Sequence, residues 1–340
     1  MTRIRSNEVS VARPEGVDEA AILSVFRVPP EAAGQRVDVF LQGEFRRSSR
    51  TRTQAIIRTS GYNAEGRPLR VSTRVASHQL IALWRAPWDE VEVPTDIPVL
   101  FEDEHLLAVD KPSGLPVHPT ARYHTNTLIK ILQTERPDQW LSLGHRLDRE
   151  TSGVLLVTKS LRCDRALKQQ FFERDAIEKE YAAITWGDPG QSRERRFRVE
   201  KRLELDPTHA TNVKMRIAEE GFGMYAATEF EVDAVRHGAR GAYALVRCYL
   251  ETGRQHQIRA HLASVDTPIV GDKLYGHDDT RFARGVDNLL TDEDFAELEL
   301  PRHALHAHRL SLPHPITSRP LDIIAPMPRD LEEFWSYLGH

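Results

Sequence analysis

The sequence predicts an α+β fold preceded by a smaller Arg-rich module, and three observations carry this. Stretches that alternate polar and apolar residues come in pairs: Tyr225 to Val235 and Ala242 to Glu251 flank RHGARG, which reads as a long antiparallel hairpin. Helical spacing occurs beside such hairpins rather than after every strand, which argues against a doubly wound parallel sheet. Arg is concentrated near the N-terminus. From Gln35 to Val75, nine Arg stand against Asp38, Glu44 and Glu65, on a chain of net charge −4. A basic segment on an acidic chain reads equally as a phosphate-binding surface or as a solvated face.

The 340 residues suffice for two domains, and 40% hydrophobic residues suffice for ordinary cores. Residues 1–25 read as a flexible leader. In GQRVDVFLQGEF (Gly34 to Phe45), Val37, Phe40 and Leu41 share a helical face. In SSRTRTQAIIRTSG (Ser48 to Gly61), Ser49 caps a second helix and Gly61 ends it. YNAEGRPLRVSTRVASHQLIALW reads as short strands, and the Pro- and acid-rich Ala86 to Asp96 as a linker. The expected domains are therefore 26–94 and 95–340.

In the second part, Leu106 to Asp110 reads as a strand, Lys111 to Gly114 as a turn and Thr127 to Gln133 as a short helix. Gly153 to Val157 is a buried strand. A helix through LKQQFFER and a strand from Glu178 to Gly187 follow. GRQHQIRAHLASV (Gly253 to Val265) reads as a helix with Ile258, Leu262 and Val265 on one face.

Chemistry concentrates in a few places. Asp148 sits between Arg146 and Arg149, next to His145, in a loop before the buried strand. A carboxylate beside guanidinium groups stays ionised and can act as nucleophile or base; taken alone, a salt-bridged turn that orders the strand entry is the ordinary reading. Arg259 lies beside apolar helix positions; pointing into a cleft it needs a carboxylate partner, with Asp148 the candidate, while a basic surface helix is an equal reading of the segment alone. Tyr181 lies in an apolar strand, where a core role is the ordinary reading. His303, His306, His308 and His314 lie on strand-like spacing without a nearby Cys, which does not read as a metal site. Glu150, two residues from Asp148, is the nearest second carboxylate for a glycosidase-like pair. The two Cys, 163 and 248, fit a reducing compartment, and no apolar leader or membrane span is evident.

Together these segments resemble the RluA-type pseudouridine synthases. HRLDRETSG (His145 to Gly153) matches the signature His-Arg-Leu-Asp-x-x-Thr-Ser-Gly. FEDEHLLAVDKPSGLPVHP, EKEYAA, TGRQHQIRAHL, PIVGDKLYG and RHALHAHRLSLPHP resemble further family segments in the same order, over roughly residues 98 to 330. The Arg-rich N-terminal part resembles an S4 RNA-binding module, with GYNAEGRP in place of the usual Val-x-Val-Asn-Gly end. The resemblance implies a mixed, largely antiparallel sheet with flanking helices and a central cleft, plus a small S4-like α/β module. It implies isomerisation of uridine in structured RNA: the uracil leaves C1′, turns, and rejoins through C5. Asp148, Tyr181 and Arg259 become the expected catalytic residues. Attack of Asp148 on the ribose, attack on the base, and removal of a ribose proton all stay open. Tyr181 is expected to stack on the base and take the C5 proton. Arg146 is expected to fill the space left by a flipped uridine. His145 and Arg46, Arg47, Arg50, Arg52 and Arg58 are the other expected RNA contacts. No metal or organic cofactor is expected. Large-subunit ribosomal RNA is the expected partner, with transfer RNA, or an inactive RNA-binding protein, as alternatives. A cytoplasmic monomer completes the expectation.

Overall fold

The computed structural model describes residues 3–4, 9–19, 21–45, 49–86, 90–120, 122–173, 176–191, 193–209, 211, 213–286 and 289–339. The chain forms two compact units, Met1–Asp89 and Glu90–His340. The expected boundary at residue 95 therefore moves, and Glu90 gives the reason. Its carboxylate accepts the backbone N–H groups of His124, Thr125 and Asn126 at 2.7–2.9 Å, which ties the linker to the second unit.

The first unit is an antiparallel sheet with two helices. Its elements are β1 (Arg3–Ile4), β2 (Ile22–Arg27), α1 (Val37–Glu44), α2 (Arg50–Ser60), β3 (Gly61–Asn63) and β4 (Leu80–Arg85), in sheet order β1-β2-β4-β3. Residues 1–25 are thus not wholly a leader, because β2 starts at Ile22 and pairs with both β1 and β4. Val37, Phe40, Leu41 and Ile57 pack on Phe26, Ile81 and Leu83. Each such large apolar side chain contributes roughly 1.5–3 kcal/mol when fully buried. Ser49 caps α2 by accepting the Arg52 N–H at 3.2 Å, as its sequence position requires. Asp38 is wholly buried and accepts hydrogen bonds from Arg36, Arg50 and Gln54. Arg50 is therefore partly engaged inside the unit, while Arg52 and Arg58 are exposed. Arg46 and Arg47 lie outside the described residues.

In the second unit the elements are β5 (Val99–Glu102), β6 (Leu106–Lys111), α3 (Leu128–Glu135), β7 (Ser142–Leu143), β8 (Ser152–Thr158), α4 (Leu161–Glu173), β9 (Glu178–Trp186), β10 (Arg196–Glu200), β11 (Leu203–Leu205), β12 (Met215–Ile217), β13 (Ala227–Gly238), β14 (Gly241–Leu250), α5 (Gln257–Ala263), α6 (Thr280–Val286), α7 (Asp292–Leu298), β15 (Leu305–Pro313), β16 (Pro320–Ile324) and α8 (Arg329–Tyr337). The main sheet runs β10-β13-β14-β9-β15-β8-β6-β5, with β16 on β15 and β7 on β8. Its pairs are antiparallel except β15 with β8. β13 and β14 form the expected hairpin, with the strands shifted towards a turn of Ala239 and Arg240 alone instead of all of RHGARG.

All seven residues of β8 are buried. Leu155 and Val157 join one apolar cluster, Val154 and Leu156 another. Burial on both faces explains why this strand reads as a continuous apolar run. The expected helix from Gly253 begins only at Gln257, after His256 takes a left-handed backbone with φ 55°. The Gln257 side-chain oxygen accepts the Thr252 hydroxyl at 2.7 Å and the Arg254 N–H at 3.0 Å, which holds the preceding turn.

Gly153 opens β8 with φ 109°, and a Cβ there would collide with the Ala307 carbonyl of β15. Gly153→Ala is expected to lose roughly 2–5 kcal/mol of folding stability from backbone strain and overpacking. Urea denaturation checks this; a loss below about 0.5 kcal/mol, the size of an ordinary surface change, would contradict it.

Candidate active site

Asp148 lies in the loop from β7 to β8, and the loop is pinned from several directions. The wholly buried Lys111 ammonium donates to the carbonyls of Pro112, Leu115 and Arg149 at 2.8–2.9 Å. Burial, then repulsion from Arg302, pushes this ammonium down to about 7. Ser113 donates to the Glu150 carbonyl at 2.8 Å. Thr151 and Ser152 bond the imidazoles of His303 and His306 at 2.8 and 2.9 Å. These contacts bring residues of β6, β8 and the approach to β15 onto one short loop.

The charged side chains form two pairs of different character. The Arg259 guanidinium is buried and donates Nε and Nη2 to the two oxygens of Asp272, at 2.6 and 2.8 Å. Its Nη1 donates to Asp148 Oδ2 at 3.0 Å. Asp272 is wholly buried and also accepts the N–H groups of Leu274 and Tyr275. Burial alone would raise the Asp148 carboxyl, but His256, Arg259 and His303 oppose it and hold it at about 2, below its ordinary 3.8. At neutral pH only Arg259 of these three is charged, because burial holds His256 at about 4 and His303 at about 3. The second pair is Glu150 with Lys273, whose Nζ lies 3.0 Å from both carboxylate oxygens. Glu150 is thereby committed to a structural ion pair, which removes it as the second carboxylate of a glycosidase-like pair.

Tyr181 comes from β9 and is half-buried. Burial, then the Asp148 charge, pushes its phenol well above the ordinary value of 10.0. It lines a narrow pocket of about 70 Å3 with Arg146, Asp148, Leu250, Ile258 and Arg259. A wider cleft of about 500 Å3 also reaches Asp148 and is bordered by Val117, Tyr123, Arg146, Lys273 and Phe282. Arg146 is exposed and borders both spaces.

Asp148, Tyr181, Arg259 and Arg146 therefore converge on one place. His145, expected to touch RNA, is placed differently. Its Nε2 accepts the Leu156 N–H at 3.1 Å, its ring lies 5.2 Å from that of Phe171, and burial holds it neutral at about 3. It anchors the loop to β8. The later histidines serve similar ends: His306 and His308 both bond the Ala325 carbonyl, and His314 accepts the N–H groups of Ile316 and Thr317. Sequence reasoning missed Asp272, Lys111 and Lys273, and gave His256 no role beyond crowding one helix with Arg259. Asp272 had a signal in VGDKLYG, a carboxylate between apolar residues and a turn.

A sequence model of the family described as RNA pseudouridylate synthase matches residues 105–264. Ribosomal large subunit pseudouridine synthase D of Xanthomonas campestris pv. campestris is 34% identical over 321 residues, covering 92% of this chain and 91% of that one. The protein of the same name from Neisseria meningitidis serogroup A is 31% identical over 320 residues, covering 92% and 80%. Among solved structures, human RNA pseudouridylate synthase domain containing 4 aligns with a TM-score of 0.54 at 26% identity, over 72% of this chain and 94% of that one. The chain belongs to the RNA pseudouridylate synthase family. Its α+β fold is the one expected from that resemblance.

Lys273→Met leaves the Glu150 carboxylate buried without its main partner and is expected to cost roughly 3–5 kcal/mol, read by denaturant unfolding; Lys273→Met with Glu150→Gln should recover much of it. Asp148, depressed to about 2, adds stability that is fully present above its ordinary 3.8 and is lost as pH falls towards 2. Arg259→Lys cannot fork to Asp272 while reaching Asp148. The Asp148 carboxyl then rises, so the acid limb of the activity profile should move to higher pH; an unmoved limb would contradict the pairing.

Proposed function

We propose that this chain converts specific uridines of large-subunit ribosomal RNA to pseudouridine, with Asp148 as the reacting carboxylate. The observation that carries the reading is Asp148 itself: held ionised by Arg259, 23% exposed, and facing a pocket shared with Tyr181. The ribosomal substrate is supported by the relatives, which are named as ribosomal large subunit pseudouridine synthases. Breaking the N1–C1′ bond without losing the base to water needs an ionised group beside the ribose, in a pocket that retains uracil. Arg259 keeps Asp148 charged and oriented. Tyr181 offers its ring face to the uracil. Its phenol stays protonated at neutral pH, so removing the C5 proton suits the ionised Asp148 better than Tyr181.

A paired uridine must leave its stack to reach this pocket, at a cost of a few kcal/mol. Arg146, exposed and bordering both spaces, is assigned to the space it leaves. The first unit is assigned a supporting role as an S4-like module, with Arg52 and Arg58 on phosphates. The two buried, unpaired cysteines support a cytoplasmic location. Among the described residues no helix is long and apolar enough to cross a membrane.

The test maps pseudouridine across ribosomal and transfer RNA from cells with and without the gene. Loss of one or a few large-subunit sites is expected. Loss confined to transfer RNA would redirect the substrate, and no loss, with purified protein inert, would leave an RNA-binding protein without catalysis. Asp148→Asn is expected to bind RNA within a few-fold of the parent yet show turnover reduced by on the order of 10⁴ or more. Removing residues 1–89 is expected to weaken RNA affinity and flatten its salt dependence, measured by filter binding across a salt series.

A further inference from the structure

Among the described residues around Asp148, His256 alone combines a side chain with a left-handed backbone, φ 55° and ψ 20°. Such a conformation costs free energy for any residue with a Cβ, and it persists where the surroundings enforce it. Here the enforcement comes from behind the ring. Tyr275 Oη lies 3.1 Å from His256 Nδ1 and also accepts the Met215 N–H at 2.8 Å. Tyr275 is buried, and Nδ1 is the acceptor its hydroxyl proton has among the described residues. The hydroxyl therefore donates to Nδ1, which leaves the proton of a neutral imidazole on Nε2. Nε2 lies 3.7 Å from Asp148 Oδ2, the oxygen that also takes Arg259 Nη1 at 3.0 Å. Asp148 Oδ1 accepts no side-chain or backbone hydrogen bond among the described residues.

We infer that His256 is a positioning residue: its Nε2–H and Arg259 together hold Asp148 by Oδ2, so that Oδ1 is the oxygen presented to the uridine. This rests on the reading of Asp148 as the reacting carboxylate. His256 acts as an uncharged donor, since burial and the nearby Arg259 keep its imidazole neutral. At 3.7 Å the contact is electrostatic, and such contacts commonly tighten once substrate is in place. Tyr275 completes the arrangement from the other side, with the Arg259 guanidinium 5.0 Å above its ring. One tyrosine thus orients both groups that grip Oδ2.

The first test is 15N NMR of the full chain at pH 7, with the His256 signals assigned by their loss in His256→Asn. A protonated Nε2 with an unprotonated Nδ1 is expected. An imidazolium, or a proton on Nδ1, would overturn the inference. The second test is kinetic. Asn tolerates left-handed backbone, so His256→Asn is expected to melt no lower than the parent. Its shorter side chain does not reach Asp148, so kcat should fall on the order of a hundredfold, with KM within about twofold. His256→Gln, whose amide N–H extends towards the same oxygen, should recover at least about tenfold of that loss. Parent activity with an unchanged kcat in His256→Asn would sink the positioning role alone. A parent inert on every ribosomal RNA would remove the functional reading, and this inference with it.

Discussion

The rest of the site depends on one guanidinium shared between two carboxylates. Arg259 is buried, and a buried cation without partners would not be tolerated. Asp272 takes its fork on two bonds and is itself held by two backbone N–H groups. That leaves Nη1 directed at Asp148. The rigid pair with Asp272 is what gives the bond to Asp148 a fixed direction. A lysine in the same place would offer a point charge on a flexible stem and no fork.

Around this centre, the protein orders its loop chiefly with neutral donors and acceptors. His145, His303 and His306 are all kept below their usual titration range by burial, and each bonds a backbone or hydroxyl group of the loop or strand. Lys111 binds three carbonyls instead of a carboxylate. Among the described residues, Arg259 is the cation hydrogen-bonded to Asp148. The Glu150–Lys273 pair satisfies its own charges beside it.

Much of the fold was legible because its signals are local. The Ser49 cap, the apolar run of β8 and the alternation of β13 and β14 each specify an element through its own residues. The convergence of Asp148, Tyr181 and Arg259 could be read from motifs whose order implied a common place. What could not be read depends on distant chain. Asp272 looked like part of a turn; that it takes the Arg259 fork depends on how residues after α5 fold back. His256 sat inside an apparently regular helix, because its left-handed backbone answers to a tyrosine nineteen residues later. The leader misled for a related reason: Ile22–Arg27 is a strand through its pairing with the distant Leu80–Arg85, and Arg3–Ile4 through its pairing with Ile22–Arg27.

The loop carrying Asp148 also has a history during synthesis. Its supports come from far along the chain: Arg259 is 111 residues away from Asp148, Lys273 is 123 from Glu150, and His306 is 154 from Ser152. Contacts of such separation form late, because loop closure precedes any reward from them. As the chain leaves the ribosome, the carboxylate emerges well before the strand that braces it. A partly made chain therefore carries the motif without the geometry. The geometry needs β15, which joins the strand after Asp148 to the strand that carries Tyr181.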